Sequence, residues 1–216
     1  MAIFESTIFE NLSGTVGNVT SYKLKDKQVA RAKIFSRKDA KTLQQLKQRT
    51  RMKTISLFKH HLTPILSSGF CTSSRKEASN RFLALNMGKV EVDDELNVTI
   101  DPLQLAISDG PLALPAIEAE IDHAGHRIIF RWKKQPLMPY MYKNDCLHGA
   151  IYETQMGRSR KVILGTRAEA GETTWELPKD WDSHHLVIYG FATTADGQKS
   201  SPTLGVLKSS NDITFL

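Results

Sequence analysis

The sequence predicts an α+β protein in which an N-terminal β-hairpin and helices are joined to a C-terminal antiparallel β-sandwich. Three observations predict this class. Two strand-like runs flank a polar turn early in the chain, apolar residues then recur at helical spacing, and short strand patterns separated by turn signals fill the C-terminal part. With 216 residues, of which 40% are hydrophobic and 24% charged, the chain can bury a core.

Positive charge is concentrated in one part of the chain. Residues 20–81 hold 16 of the 29 Lys and Arg residues but only three acids, which gives this segment a formal charge of +13. Residues 82–216 carry a formal charge of −5. Segregation of this size indicates that the two parts have different physical roles. We therefore divide the chain into a basic hairpin and helical region, residues 1–95, and a β-sandwich domain with lead-in strands, residues 96–216.

The start of the chain has no Lys or Arg before Lys23, and no apolar run of membrane-spanning length follows. These features argue against a classical signal peptide, so we expect the protein in the cytoplasm or in a virion assembled there. Cys71 and Cys146 lie in segments of different character and make a poor disulfide framework.

Residues 14–33 predict a β-hairpin. The strand-like runs Val19–Leu24 and Gln28–Ala32 flank the polar turn Lys25-Asp26-Lys27, and Gly14 indicates tight backbone before the first run. Because side chains on a strand alternate between its faces, basic residues at odd positions are expected to lie largely on one face of the hairpin. The residues of this predicted stripe are Lys23, Lys25, Lys27, Arg31 and Lys33.

A basic helix is predicted after the hairpin. Thr42 and Gln45 have the spacing of a capping box, and apolar residues then recur at roughly helical intervals. Pro64 is expected to kink or break the helix near residue 60, and Gly69 is expected to end it. The helix residues that we assign to the same partner-binding surface as the hairpin stripe are Lys47, Arg49, Arg51 and Lys53.

The segment from residue 74 to residue 95 predicts a second helix and a linker. Ser74 and Glu77 repeat the capping-box spacing, and Gly88 is expected to stop the helix. The acidic residues that follow lack the spacing and the glycine of a calcium loop, so they predict a solvated linker between the helical and β parts.

The C-terminal part predicts a series of short strands. Two lead-in strands are expected at Leu96–Ile100 and Leu103–Ser108. Seven more strands follow over about 90 residues, with turn signals between them. They are Ile117–Asp122, His126–Trp132, Cys146–Thr154, Lys161–Gly165, Glu172–Leu177, His184–Thr193 and Lys199–Lys208. This number and spacing of strands are typical of an immunoglobulin-like or fibronectin type III-like sandwich.

The basic hairpin and helix are the strongest candidate binding surface. Several phosphate contacts would give salt-dependent binding to nucleic acid with little base specificity. Tyr22, Phe35 and Phe58 do not form an evident stacking platform, and no named nucleic-acid-binding motif is present. Docking on an acidic partner protein, or simple solvation of the charges, explains the same residues, and of the two kinds of partner we favour the protein.

Histidine patterns do not specify a metal site. His123 and His126 flank a predicted turn and could converge, but no third ligand is evident. Ordinary surface and turn histidines are therefore favoured here and at the adjacent pairs His60-His61 and His184-His185.

Cysteine and tryptophan patterns do not specify a catalytic or sugar-binding site. Cys146 could be activated by His148, two residues further along the predicted strand, but a small core or surface thiol is favoured at both cysteines. The three tryptophans predict core or edge aromatics, and only an exposed Trp181 would indicate a carbohydrate platform.

Three segments carry a resemblance to a known family. They are LSGTVGNVTSYKLKDKQVARAK (residues 12–33), KTLQQLKQRTRMKTISLFKHHLTPILSSGF (residues 41–70) and SDGPL (residues 108–112). Together they resemble a domain family of unknown function that is widespread in Bacteroidota, with an LSGKVGN-type basic hairpin, a Thr-x-x-Gln basic helix and a C-terminal β domain. The chain departs from the family pattern at Thr15 and Leu43, where Lys and Pro are usual. The resemblance covers nearly the whole chain and implies an architecture but no activity. The hairpin and helix are also similar to small phage virion proteins.

The sequence as a whole predicts a non-catalytic structural or interaction protein that docks through its basic hairpin and helix. Its partner is expected to be another protein or further copies of itself, and a component of a larger, phage-like assembly is one concrete form. The alternatives are a nucleic-acid-associated accessory protein that binds phosphate backbone non-specifically and a cell-surface adhesion module. We expect no enzyme activity, cofactor, bound metal, small-molecule substrate or membrane association.

Overall fold

The computed structural model describes residues 2–4, 12–36, 39–136 and 138–209. The chain divides into two compact units, residues 1–42 and residues 43–216. The described residues form two α-helices and several antiparallel sheets, which confirms the predicted α+β class.

The first unit contains a four-stranded antiparallel sheet. Its strands are β1 (Ala2–Phe4), β2 (Gly14–Val16), β3 (Val19–Leu24) and β4 (Lys27–Ala32). They lie in the order β1–β4–β3–β2. Strands β3 and β4 form the predicted hairpin, in which Leu24 pairs with Lys27 across a two-residue turn. Strands β1 and β2 were not predicted, because three residues are too few to show an alternating pattern.

Helix α1 (Leu43–Gly69) is 27 residues long and ends at the predicted glycine. The expectation was a kink or a break near residue 60, and the break is wrong because the helix continues through Pro64. Proline removes one backbone N–H from the helix and weakens the turn before it. In that turn Ser159 Oγ donates a hydrogen bond to the carbonyl oxygen of His61 at 2.6 Å. This contact, together with the buried apolar face of the helix, holds α1 in place through the proline.

Helix α2 (Arg75–Asn86) begins at the predicted cap. The hydroxyl of Ser74 accepts a hydrogen bond from the backbone N–H of Glu77 at 3.2 Å, which satisfies one amide of the first turn. A 3₁₀ turn, Met87–Lys89, contains Gly88 and confirms the predicted stop. Within the described part of the chain, neither helix combines the length and the apolar composition that crossing a membrane requires.

The acidic run after α2 is a structured turn, not the predicted solvated linker. It joins the short strands β5 (Glu91–Val92) and β6 (Val98–Thr99), which pair as a hairpin. The Asp93 carboxylate accepts hydrogen bonds from the backbone N–H groups of Glu95 at 2.9 Å and Asn97 at 2.8 Å. An aspartate that binds the backbone in this way fixes a turn without any metal ion.

All seven predicted sandwich strands are present, six of them with shifted ends. They are β7 (Ile117–Asp122), β8 (Arg127–Trp132), β9 (Cys146–Glu153), β10 (Arg158–Thr166), β11 (Gly171–Glu176), β12 (Leu186–Thr193) and β13 (Leu204–Lys208). One sheet has the order β11–β8–β7 and the other the order β10–β9–β12–β13. Side chains of both sheets, including Phe130 of β8 and Ile151 of β9, form one hydrophobic core.

The predicted lead-in strand Leu103–Ser108 is wrong, and the other lead-in strand is reduced to β6. A 3₁₀ turn, Pro102–Gln104, begins the segment, and irregular backbone follows. The buried amide of Asn86 replaces a strand partner there. Its Nδ2 donates to the carbonyl of Ala106 at 2.8 Å, and its Oδ1 accepts from the N–H of Ala106 at 2.7 Å. The segment does have an apolar pattern, but the backbone groups of Ala106 bond to the side chain of Asn86 instead of to a neighbouring strand.

The two central strands of the four-stranded sheet, β9 and β12, are buried on both faces. All residues of β12 are buried. On β9, Leu147 and Ile151 belong to the core between the two sheets, whereas Ala150 and Tyr152 belong to a second core with α1 and α2. The Phe58 ring of α1 lies 5.9 Å from the Tyr152 ring. The point between residues 95 and 96 at which the sequence analysis divided the chain therefore lies inside the second compact unit.

Candidate docking surface on the basic segment

The hairpin cations do not lie on one face. Cross-strand partners share a face of a sheet, and here Lys23 pairs with Gln28, whereas Arg31 pairs with Thr20. Lys27 and Arg31 therefore lie on one face and Lys23 lies on the other. The predicted single stripe is wrong, because the two-residue turn pairs odd-numbered positions of β3 with even-numbered positions of β4.

The face that carries Lys27 and Arg31 combines charge with apolar surface. The guanidinium carbon of Arg31 lies 5.6 Å from the centroid of the Tyr22 ring, within the range of a cation–π contact. Ile3 of β1 pairs with Val29 and so lies on this face, where 60% of its surface is exposed. This face thus presents two cations beside an aromatic ring and an aliphatic side chain.

The opposite face carries Lys23 together with exposed valines. Val16 pairs with Val19, and Val16 is 70% exposed. Between them and Lys23 lies the buried Ser21, whose hydroxyl receives a hydrogen bond from Gln28 Nε2 at 2.7 Å. The pattern of cations next to exposed aliphatic side chains is therefore repeated on both faces.

The last two predicted hairpin residues lie outside the strands. Lys25 is in the turn with a φ of 55°, in the left-handed region, and its side chain is exposed. Lys33 follows β4, and its backbone N–H donates to the carbonyl of Asn18 at 2.7 Å. Its Nζ lies 5.4 Å from the centroid of the Phe35 ring, which is 72% exposed. A second cation therefore lies beside an exposed aromatic ring.

Two of the four predicted helix cations hold the helix against its own unit. Lys47 Nζ lies 2.5 Å from Asp94 Oδ1, and Arg51 Nε donates to the carbonyl of Val90 at 3.1 Å. Residues four apart share one side of a helix, so this side of α1 is fixed to the segment around β5. These contacts give the two residues a structural task that the sequence did not predict.

Arg49 and Lys53 form the other pair of helix cations. They are four residues apart, are exposed, and lie roughly 200° around the helix from Lys47 and Arg51. Their exposure keeps both residues in the candidate docking surface.

The histidines are not brought together as a metal site. His123 and His184 stack with ring centroids 4.4 Å apart, and His123 Nδ1 lies 2.8 Å from Ser183 Oγ. His126 Nε2 instead lies 3.0 Å from the carbonyl of Pro178. Among the described residues, no group of three or more His, Cys, Asp or Glu side chains is placed to hold a metal ion.

The thiol and tryptophan candidates have structural surroundings. Burial raises the pKa of Cys71, which opposes formation of a reactive thiolate. His148 shares a face of β9 with Cys146 but is buried, and its Nε2 lies 2.9 Å from Thr193 Oγ1. Trp181 is buried, so the exposed aromatic platform considered for it is not present at that residue.

Sequence reasoning missed the apolar part of the basic surface. Tyr22 and Phe35 lie against Arg31 and Lys33, although they were considered only as a stacking platform. The available signal was the alternation of apolar and basic residues in a unit that is too short to bury both faces of a sheet. No family model, no curated protein and no solved structure matches the chain.

Proposed function

We propose that this is a non-catalytic interaction protein whose N-terminal sheet docks on an acidic partner protein. The observation that carries the proposal is the mixed character of this sheet. Among the described residues of the first unit only Ser21 and Val29 are buried, whereas cations and large apolar side chains are exposed on both faces. Exposed apolar surface rimmed by charge is the usual composition of a protein–protein interface.

The apolar side chains favour a protein partner over nucleic acid. Interfaces with nucleic acid are polar and strongly positive, and their affinity comes mainly from phosphate contacts. Val16 and Ile3 would gain nothing from phosphate but would be removed from water by a protein surface. A partner with acidic groups around an apolar patch would satisfy the aliphatic side chains and the neighbouring lysines together.

The proposal also covers the type of β-sandwich, the family of the domain and the assembly in which the protein takes part. Named in chain order, the seven sandwich strands divide as E–B–A and C′–C–F–G, which supports a fibronectin type III-like sandwich. The proposal includes membership of the Bacteroidota domain family that the sequence resembles. Strands β1 and β2 lie at the edges of the first sheet, where strand addition could build a phage-like assembly in the cytoplasm or in a virion.

The alternative is a nucleic-acid-associated accessory protein that uses the same cations. The contact between Arg31 and Tyr22 favours it, because aromatic rings and arginines together are used to bind single strands. This alternative requires the lysines to act on phosphates and assigns no role to the exposed valines.

The protein-docking proposal is tested by removing charge and apolar surface separately. Lys27→Gln with Arg31→Gln removes the cations from one face, and Val16→Ser with Phe35→Ser removes exposed apolar groups. Partners are cross-linked to the full chain in its native cells and quantified by mass spectrometry. Each double variant should lower capture of the same protein by about tenfold, equal to about 1.4 kcal/mol. The matched control Lys179→Gln, at an exposed lysine between β11 and β12, removes one charge outside the sheet and should leave capture of that protein within about twofold.

A salt titration separates the two functions. Binding of a labelled DNA duplex and of its single strand is followed by fluorescence anisotropy between about 50 and about 200 mM salt. Weak binding with little salt dependence supports protein docking. A steep fall in affinity with salt that is abolished by Lys27→Gln with Arg31→Gln, but not by Val16→Ser with Phe35→Ser, would replace the proposal by the nucleic-acid alternative.

A further inference from the structure

Three connecting segments meet at one end of the sandwich. Residues 133–145 join β8 to β9, residues 167–170 join β10 to β11, and residues 194–203 join β12 to β13. Thr166 and Thr193 both pair with Cys146, so these segments leave the four-stranded sheet side by side. Clustered loops on a rigid sandwich are the usual position of a binding site in such folds.

A buried arginine holds the first two of these segments together. Arg167 is 2% exposed, and its Nε lies 3.1 Å from Oδ2 of Asp145, which is 1% exposed. The rest of the guanidinium donates to the carbonyls of Ala113 and Leu114 and to the side chain of Gln135. One side chain thus ties together three segments of the chain, which makes the loop end preorganised.

Two cavities of about 370 Å³ each lie beside this anchor, and the Tyr142 ring borders both. The first cavity is basic. Lys134 and Lys143 line it, and neither forms an ion pair with any described residue. An anionic group entering this cavity would therefore meet two available ammonium groups.

The second cavity is rich in hydrogen-bond acceptors. It is lined by Asn144, Gln198, Asp196 and Asp145, and Lys199 also borders it. The Asp145 Oδ1 atom is buried and has no hydrogen-bond partner among the described residues. A buried acceptor without a partner is unusual and calls for a donor group beside it. A ligand with N–H groups would supply that donor from this cavity.

Two exposed tyrosines lie in the segment that joins β8 to β9. Tyr142 is 53% exposed and Tyr140 is 63% exposed. Tyr140 has a φ of 64°, a left-handed conformation that is costly for a tyrosine and is found where surrounding contacts enforce it. Its carbonyl accepts a hydrogen bond from the N–H of Ala113 at 3.1 Å. Rigidly presented tyrosines provide large contact area with little loss of conformational entropy, as in antibody loops.

From this arrangement we infer that the loop end binds an extended acidic peptide segment of a protein partner. An acidic side chain enters the cavity lined by Lys134 and Lys143, and the peptide backbone passes over Tyr142. Backbone N–H groups then face the acceptors of the second cavity. An extended peptide supplies charge and regularly spaced donors together, which is what the two cavities require.

The same arrangement disfavours a polyanion of the nucleic-acid type. The Asp196 carboxyl accepts hydrogen bonds from Thr194 Oγ1 at 2.5 Å and from the N–H of Gln198 at 3.0 Å. These bonds lower the pKa of Asp196, so a carboxylate lines the second cavity at neutral pH, with the ammonium group of Lys199 also in the lining. Phosphate oxygens supply no donor to the acceptors of the second cavity, whereas the backbone N–H groups of a peptide do. This site is independent of the N-terminal sheet, and either surface can fail its test without affecting the other.

The test is an NMR titration of the isotope-labelled full chain with the peptide acetyl-(Glu-Gly)₃-amide. Amide signals of Tyr142, Lys143 and Gln198 should shift and saturate. Tyr142→Ser and Lys143→Gln should each weaken binding by about tenfold. The matched control Lys179→Gln lies in the loop between β11 and β12, at the opposite end of the sandwich, and should leave the affinity unchanged. If Tyr142→Ser does not fold, the exposed Lys134→Gln replaces it.

Three results would overturn the inference. The first is a shift pattern confined to residues 12–36, which would place the peptide on the N-terminal sheet. The second is equal binding of the neutral peptide acetyl-(Gln-Gly)₃-amide, which would remove the role of the lysines. The third is an identical shift pattern with inorganic phosphate at the same concentration, which would leave a simple anion site.

Discussion

At the scale of single residues, His148 shows how burial changes the chemistry of one side chain. It lies on β9 with its Nε2 2.9 Å from Thr193 Oγ1 and its ring 5.0 Å from the Phe191 ring. Burial, and to a smaller extent the charge of Lys161, lowers the pKa of His148 to about 4. The residue is therefore a neutral hydrogen-bonding member of the core, and the Cys146–His148 spacing in the sequence reflects a shared strand face.

This pKa predicts a loss of stability in mild acid. The unfolded chain binds a proton at this histidine near its ordinary pKa of about 6.5, whereas the folded chain does not until about pH 4. Between these values the unfolded state holds more protons, so the free energy of unfolding falls as pH falls. Comparing about pH 7 with about pH 4.5, His148 should account for a loss of about 2–3 kcal/mol. Urea unfolding at the two pH values measures it.

The control for this prediction is His148→Gln, whose amide can keep a hydrogen bond to Thr193 but does not titrate. Carboxyl groups also titrate in acid, so the informative quantity is the difference between the two proteins. The variant should lose about 2–3 kcal/mol less than the natural chain between the same pH values. Equal losses in both proteins would show that His148 is not the group responsible.

At the scale of elements, the end of α1 is set by a close approach of two backbones. A Cβ atom added at Gly69 would lie 2.1 Å from the carbonyl oxygen of Ile107. The substitution Gly69→Ala must therefore push the end of α1 away from the segment that carries Ile107, although alanine is the better helix former. We expect a loss of about 1–3 kcal/mol in the free energy of unfolding, measured by urea denaturation.

Gly88→Ala is the matched control for this prediction. A Cβ atom at Gly88 would meet no atom within 4 Å. Its φ is not in the left-handed region, so alanine fits the backbone there. The control should change stability by less than about 0.5 kcal/mol. The close-approach argument fails if the two substitutions have the same effect.

The elements also show which patterns can be predicted from one sequence. The hairpin β3–β4, the cap at Ser74 and the seven sandwich strands were predicted because local spacing and turn residues determine them. Which hairpin residues share a face was not predicted, because this depends on whether odd-numbered positions of β3 pair with odd-numbered or even-numbered positions of β4. The segment Leu103–Ser108 failed for a related reason. Its backbone is satisfied by Asn86, whose role is invisible until α2 and the segment lie together.

At the scale of the whole molecule, charge and core are organised differently. The sequence analysis divided the chain between residues 95 and 96, where charge and apolar patterning change. Side-chain charge describes the surface of a protein, however, and does not show which residues share a core. The core depends on β9 and β12, which are buried on both faces, and an uninterrupted apolar run of the kind seen in β12 indicates a strand with two covered faces. The loop-end site could not be predicted either, because its residues come from separate segments and have no fixed spacing.

This organisation predicts which part of the chain folds alone. The fragment of residues 43–216 retains both cores, so it should unfold cooperatively and give a dispersed NMR spectrum. The fragment of residues 96–216 lacks α1 and α2 and would expose Tyr152, Tyr189 and Phe191, which are buried in the helix-facing core. An exposed apolar sheet face of this kind leads to aggregation or loss of fixed packing. Thermal unfolding and NMR spectra of the two fragments, compared with the full chain, measure the difference. A 96–216 fragment that is monomeric and unfolds as cooperatively as the 43–216 fragment would show that the helices are accessory to the sandwich, and would restore the boundary that the charge pattern indicated.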